Sequence, residues 1–131
     1  MTKKLLFFFI ILQIISLNNK SKAQTPECLI LFTDTVNDES GYKNLKGDTI
    51  IRPGKYDHCF TDTFRTYAIV LKAGKGFVGI DMHEHILYEV FPIDNGPDYT
   101  SDGLFRIVVN NKIGYADSVT GRVVIKPQFV C

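Results

Sequence analysis

The feature that most restricts what this chain can fold into is a recurrence. Three segments follow one plan: Gly41-Tyr-Lys-Asn-Leu-Lys-Gly47-Asp-Thr-Ile-Ile-Arg-Pro53-Gly-Lys-Tyr56, Gly79-Ile-Asp-Met-His-Glu-His85-Ile-Leu-Tyr-Glu-Val-Phe-Pro92, and Gly114-Tyr-Ala-Asp-Ser-Val-Thr-Gly121-Arg-Val-Val-Ile-Lys-Pro127-Gln-Phe129. The first glycines stand 38 residues apart (41 to 79) and then 35 (79 to 114), a period that suits one supersecondary unit per copy. Residue types choose strands over helices. Arg65–Lys72 and Leu104–Val109 are rich in β-branched and aromatic residues and run into turn residues. After Gln24 no stretch keeps apolar residues at i, i+3, i+4 and i+7 for the length of a good helix.

The turns have matching chemistry. Asn110-Asn111 can take the positive φ values of a two-residue hairpin, and Lys46-Gly47-Asp48 and Thr120-Gly121 offer a glycine at a second turn; in the middle copy His85 takes that glycine's place. Each unit reads as strand, tight turn, strand beginning at the marker glycine, second turn, and a strand ended by Pro53, Pro92 or Pro127, because proline has no N–H for the ladder. Tyr56 and Phe129, just past their prolines, are expected to cover junctions between units. The expected fold is all-β: three-stranded meanders of about 28–59, 64–99 and 104–131, stacked in an open array preceded by a signal-peptide helix. A β-propeller is the competing architecture, but its blades carry four strands where each copy here supplies three.

Residues 1–23 are expected to be a removable signal. Met1-Thr-Lys-Lys is positive, Leu5–Leu17 is apolar apart from Gln13 and Ser16, and Ser21-Lys-Ala23 puts small residues at −3 and −1 of a cleavage site. That apolar core is shorter than the roughly 20 residues of a membrane-spanning helix, so no stable span is expected after cleavage. Thr25-Pro26-Glu27 is a poor approach to lipidation of Cys28. Removing Lys3, Lys4, Lys20 and Lys22 leaves 11 basic against 14 acidic residues, a net −3 over the 108 residues that remain. An acidic balance argues against nucleic-acid binding. The expected location is the periplasm, outer cell surface or medium. Cys28, Cys59 and Cys131 are an odd number in a disulfide-permissive compartment, so a Cys28–Cys59 bridge and unpaired buried thiols both stand.

The pattern Gly-Tyr-x-x-x-x-Gly-x-x-x-Ile-x-Pro-x-x-Tyr/Phe, together with Asn111-Lys112-Ile113-Gly114-Tyr-Ala-Asp117, resembles the bacterial WG-repeat proteins from Leu29 onward. The residues before the marker glycines are Ser40, Val78 and Ile113, and the chain has no tryptophan, so the namesake aromatic is missing from every copy. Val78 and Ile113 can fill a buried slot with less area; Ser40 marks a degenerate or edge unit. The resemblance implies an exported or envelope-associated β-repeat protein, without enzymatic activity and without a transferable ligand. The third copy stops two residues past Phe129, which suggests a truncated fragment of a longer array; a short natural protein ending on an edge strand is the alternative.

Candidate sites are few. Asp81-Met-His83-Glu84-His85 offers two imidazoles and a carboxylate to Zn²⁺ or Cu²⁺, although the repeat register puts the string at a solvated turn. Asp94–Gly103 is oxygen-rich but lacks calcium-loop spacing and reads as a connector. No nucleophile elbow, phosphate loop or flanking carboxylate pair is present, so no catalytic residue and no cofactor are assigned. Tyrosines remain as a possible binding surface, with Tyr42, Tyr99 and Tyr115 the candidates and repeated core packing the competing reading. The expectation is a non-enzymatic binding or structural module whose partner is a protein or an envelope glycan; the rival is a metal-binding or metal-dependent protein built on His83 and His85.

Overall fold

The computed structural model describes residues 27–130; the expected leader at 1–23 and Cys131 lie outside them. Every regular element among the described residues is a strand. A first meander comprises β1 (Leu29–Asp34), β2 (Glu39–Lys43) and β3 (Thr49–Ile51), and a connector carries β4 (His58–Cys59) and β5 (Thr63–Phe64). A second comprises β6 (Ala68–Lys72), β7 (Gly76–Ile80) and β8 (Ile86–Val90), followed by a ribbon of β9 (Pro92–Ile93) and β10 (Gly96–Pro97). A third comprises β11 (Leu104–Val109), β12 (Lys112–Asp117) and β13 (Val123–Phe129). The first forms a four-stranded sheet in the order β3-β2-β1-β5, and the other two share a seven-stranded sheet in the order β13-β12-β11-β8-β7-β6-β4.

Local chemistry explains the turns. Asn110 and Asn111 adopt φ of 51° and 59°, as a two-residue hairpin with the twist of its strands requires. Each second turn is organised by a side-chain oxygen accepting backbone N–H groups. Asn44 Oδ1 accepts from Lys46 and Asp48, Asp81 Oδ1 from His83 and His85, and Asp117 Oδ1 from Val119 and Thr120, all at 2.7–3.0 Å. Gly47 and Gly121 have positive φ there, but in the middle turn the left-handed residue is Glu84, φ 65°, and not its neighbour His85.

Counting from these acceptors also corrects the marker. Two residues before each one, the register pairs Tyr42 with Ile51, Gly79 with Tyr88, and Tyr115 with Ile125. Val78, rather than Gly79, therefore stands where Gly41 and Gly114 do. A Cβ on Gly41 would lie 2.5 Å from the Ile51 carbonyl oxygen and 2.8 Å from Pro53 N; on Gly114 it would lie 2.5 Å from the Ile125 oxygen and 2.7 Å from Pro127 N. Glycine and proline recur together because the third strand folds its backbone onto the glycine. Pro127 does not end its strand: it lies inside β13, an edge strand whose register against β12 shifts twice, and the bulge absorbs the missing donor.

Two cores result from the alternation of side chains across the sheets. Leu29, Tyr42, Ile51 and Phe64 of the first sheet meet Cys59, Ala68, Val70, Val78 and Ile80 of the second. Tyr88, Val90, Phe105, Ile107 and Ala116 form the other core with Tyr67, Ile69 and Phe77, on the opposite face of β6 and β7. The long sheet curls to close it: the Tyr67 and Tyr88 hydroxyls donate to the Ser118 and Gly121 carbonyls at 2.6 and 2.7 Å, and Gly121 packs against the Tyr67 side chain, where a Cβ would meet Cγ and Cδ1. Burial pushes both tyrosines above the usual phenol range.

The first two segments interlock instead of meeting at a boundary. β4 pairs with β6 while β5 returns to pair with β1. Between them the Thr61 carbonyl accepts from Tyr42 Oη at 2.7 Å and its Oγ1 accepts from Ile69 N at 3.0 Å. Tyr56 is buried where the first connector meets the second meander, its hydroxyl donating to Glu84 Oε1 at 3.2 Å. Phe129 is half exposed and covers no such junction.

Candidate binding surface

The structure separates the residues nominated by sequence. Tyr42 is fully buried with its ring edge-on to Phe64, 5.0 Å between centroids, so it is a core residue and not part of a surface. Tyr99 is well exposed, on the connector after β10. Tyr115 is half-buried on the outer face of β12, its ring 6.4 Å from that of Phe129. Cys28 and Cys59 are buried, unbridged thiols; burial raises the Cys59 thiol, with hydrogen bonding to Tyr42 opposing it.

Asp81, His83 and His85 come together on the turn between β7 and β8. Asp81 Oδ2 takes the His85 ring nitrogen Nδ1 at 2.9 Å, and the two imidazole centroids are 6.1 Å apart. Burial raises the Asp81 carboxyl, but hydrogen bonds from the His85 ring and from the His85 and His83 N–H groups outweigh it and leave it below the usual range. Among the described residues no three His, Cys, Asp or Glu side chains converge as a metal-ligand set. Asp81 organises a turn, and His85, three-quarters exposed, reinforces it. Isothermal titration with Zn²⁺ or Cu²⁺ is therefore expected to show no uptake at micromolar concentrations; uptake abolished by His83→Ala would overturn this reading.

A concave surface lies elsewhere, and its residues were not nominated by sequence. Glu89, Val108 and Ile113 are cross-strand neighbours on the face of the long sheet that points away from the second core. With Lys75, Phe91 and Asn111 they line an open groove of about 460 Å³. Ile113 also pairs with Phe129, so the floor continues to the sheet edge beside Tyr115. One wall is held by charge: Asp98 Oδ2 accepts from Arg106 N and Nε at 2.7 and 3.0 Å, Oδ1 accepts from Nη2 at 2.7 Å, and the guanidinium carbon sits 4.3 Å from the Phe91 ring centroid. The connector Asp94–Gly103 thus contributes a latch through Asp98, seven residues of intervening sequence away from its partner, a spacing that carries no recognisable signal.

The rest of this surface is the edge of β13, which among the described residues pairs only with β12. Along this edge Val123, Val124, Phe129 and Val130 are 46%, 58%, 50% and 79% exposed. Groove and edge together offer aromatic rings, aliphatic side chains and only a sparse set of charges; among the described residues they present no nucleophile paired with a base.

No family model matches the chain, and no solved structure matches it. Over 51 residues, 39% of its length, the chain is 41% identical to the mitochondrial 2-oxoglutarate dehydrogenases of Caenorhabditis briggsae and Caenorhabditis elegans. It spans 5% of the length of those curated relatives, so the likeness is to one short stretch of each.

Proposed function

We propose that this chain is an exported, non-enzymatic β-repeat module that binds a protein partner through the outer face of its third meander. The observation that carries the reading is the continuous apolar surface from Val108 and Ile113 to Tyr115 and Phe129, bounded by the β13 edge. Interfaces draw their energy from aromatic anchors in partly enclosed surroundings, and these residues supply them. The common side-chain acceptor at Asn44, Asp81 and Asp117, with the register pairs two residues before it, supports treating the three meanders as copies of one unit. The likeness to WG-repeat proteins and the leader-like Met1–Ala23 support export to the envelope or medium. An envelope glycan is the second reading, favoured by the aromatic rings but not by the aliphatic majority of the surface.

A benzophenone amino acid at Phe129, activated by light in the producing cell, is expected to give protein adducts in the envelope or secreted fraction. The same probe at Val36, 87% exposed on the β1–β2 turn, is expected to give none. Absence of adducts from position 129, or equal adducts from both positions, would sink the proposal.

A further inference from the structure

The two large sheets have four edges, and three of them are short. β3, β5 and β4 are three, two and two residues long, whereas β13 is seven and ends the long sheet. A very short edge leaves too few backbone groups to template another strand, while a long one presents a row of them. Among the described residues β13 pairs only with β12, so its outer row of backbone groups is open there. Ile125 and Phe129 pair with Tyr115 and Ile113, and cross-strand partners share a face, so the side of β13 that continues from the groove is apolar.

Charge gives this edge a sign. With His neutral, residues 27–103 hold seven basic against 13 acidic residues, a net −6, and residues 104–130 hold four against one, a net +3. Within the basic segment Arg106 is tied to Asp98, and the single carboxylate, Asp117, is turned onto the backbone N–H groups of Val119 and Thr120. Lys112, Arg122 and Lys126 are exposed and make no ion pair among the described residues. Arg122 adjoins β13 and Lys126 lies within it. Positive charge on an edge repels a second edge like itself, which disfavours pairing of β13 with its own copy, and it favours a strand of opposite sign.

We infer that the third meander takes an acidic, extended segment of another protein, which adds to β13 as a further strand of the long sheet. Main-chain hydrogen bonds to the open edge supply affinity, and carboxylates near Arg122 and Lys126 supply selectivity by sign. Apolar side chains on alternate residues of the segment extend the floor beside Ile125 and Phe129. Such a partner rests on the binding-module reading above, whose chemistry it specifies.

Fluorescence anisotropy on the protein expressed from Met1 is the test, with a labelled peptide of alternating valine and glutamate matched in length to β13. Anisotropy is expected to rise and saturate at micromolar protein. A valine–lysine peptide of the same length should give no saturable rise. The valine–glutamate peptide with every amide N-methylated keeps its charge and side chains but has no N–H to donate, and should bind at least about tenfold more weakly. Combining Arg122→Glu with Lys126→Glu should weaken the unmodified peptide at least about tenfold; both positions are exposed, and circular dichroism checks that the β signal is retained. No saturable binding, equal binding of the lysine or the N-methylated peptide, or affinity indifferent to the two substitutions would each overturn the inference. Self-association in sedimentation velocity that the peptide displaces would assign the edge to a second copy and overturn it too. If the probe at Phe129 still captures a protein while the valine–glutamate peptide does not bind, the binding-module reading stands and the acidic-strand inference falls.

Discussion

Gly79→Tyr should cost about 3 kcal/mol or more of folding stability, and most of that loss should return when Tyr88→Ile is added. A Cβ at position 79 would lie 2.5 Å from Tyr88 Cε2. The Tyr88 ring cannot swing aside, because its hydroxyl holds the Gly121 carbonyl and its face packs near Phe105, 5.9 Å between centroids. Overpacking of a closed core costs about 1–3 kcal/mol and sometimes more, and a whole phenol ring is an extreme case. Tyr88→Ile alone should cost about 2–3 kcal/mol through lost aromatic volume and an unpaired Gly121 carbonyl. Together the two changes recreate the Tyr42–Ile51 pair of the first meander on the same register position. The expected coupling is about 2 kcal/mol in favour of the double variant, read from urea midpoints of the two single variants and the double. If the losses simply add, the second meander does not share the first one's geometry and the repeat reading loses its main structural support.

The strands were legible because β-branched and aromatic runs alternate with turn chemistry that is strongly local: the Asn110-Asn111 hairpin and the glycines 47 and 121 have positive φ for reasons each residue carries by itself. The middle segment misled because Gly79 is not a backbone-contact glycine. Gly79 yields room to a side chain, Tyr88, whereas Gly41 and Gly114 yield room to a backbone. Identical letters answered two different steric demands, and only cross-strand register separates them. The same limit applies to the tyrosines. Tyr42 and Tyr115 share a register position, yet one is sealed in the first core and the other stands on an open face, because a neighbouring meander covers only the former. The groove was invisible for a further reason: Glu89, Val108 and Ile113 come from three strands and are adjacent only through pairing.

Asp98→Ala is expected to remove about 2–3 kcal/mol of stability and to loosen the β9–β10 ribbon beside the groove. The Asp98 side chain is only 6% exposed and answers three donors of Arg106. Stripping one partner from a buried pair costs about 3–5 kcal/mol, and the figure is reduced here because the Arg106 side chain is 33% exposed and partly screened by water. Asp98→Asn, which can still accept from the Arg106 backbone N–H, should lose less. The pH dependence has a fixed sign. Burial raises the Asp98 carboxyl, but the hydrogen bonds and charge of Arg106 outweigh it and hold the folded-state value below the usual range. The contribution is therefore complete above the unfolded carboxylate value near 3.9 and fades as pH falls through the lower folded one. Asp34, Asp81 and Asp117 are lowered too, so the acid limb of the wild-type protein alone would not isolate Asp98. The difference in unfolding free energy between wild type and Asp98→Ala would do so: it should be flat from about pH 7 to 5 and narrow below about pH 4. A difference independent of pH would assign the loss to packing around Phe91 and not to the charge. Hydrogen exchange completes the argument, because a latch predicts faster exchange in residues 92–98 of the variant while the β6–β7 hairpin keeps its protection.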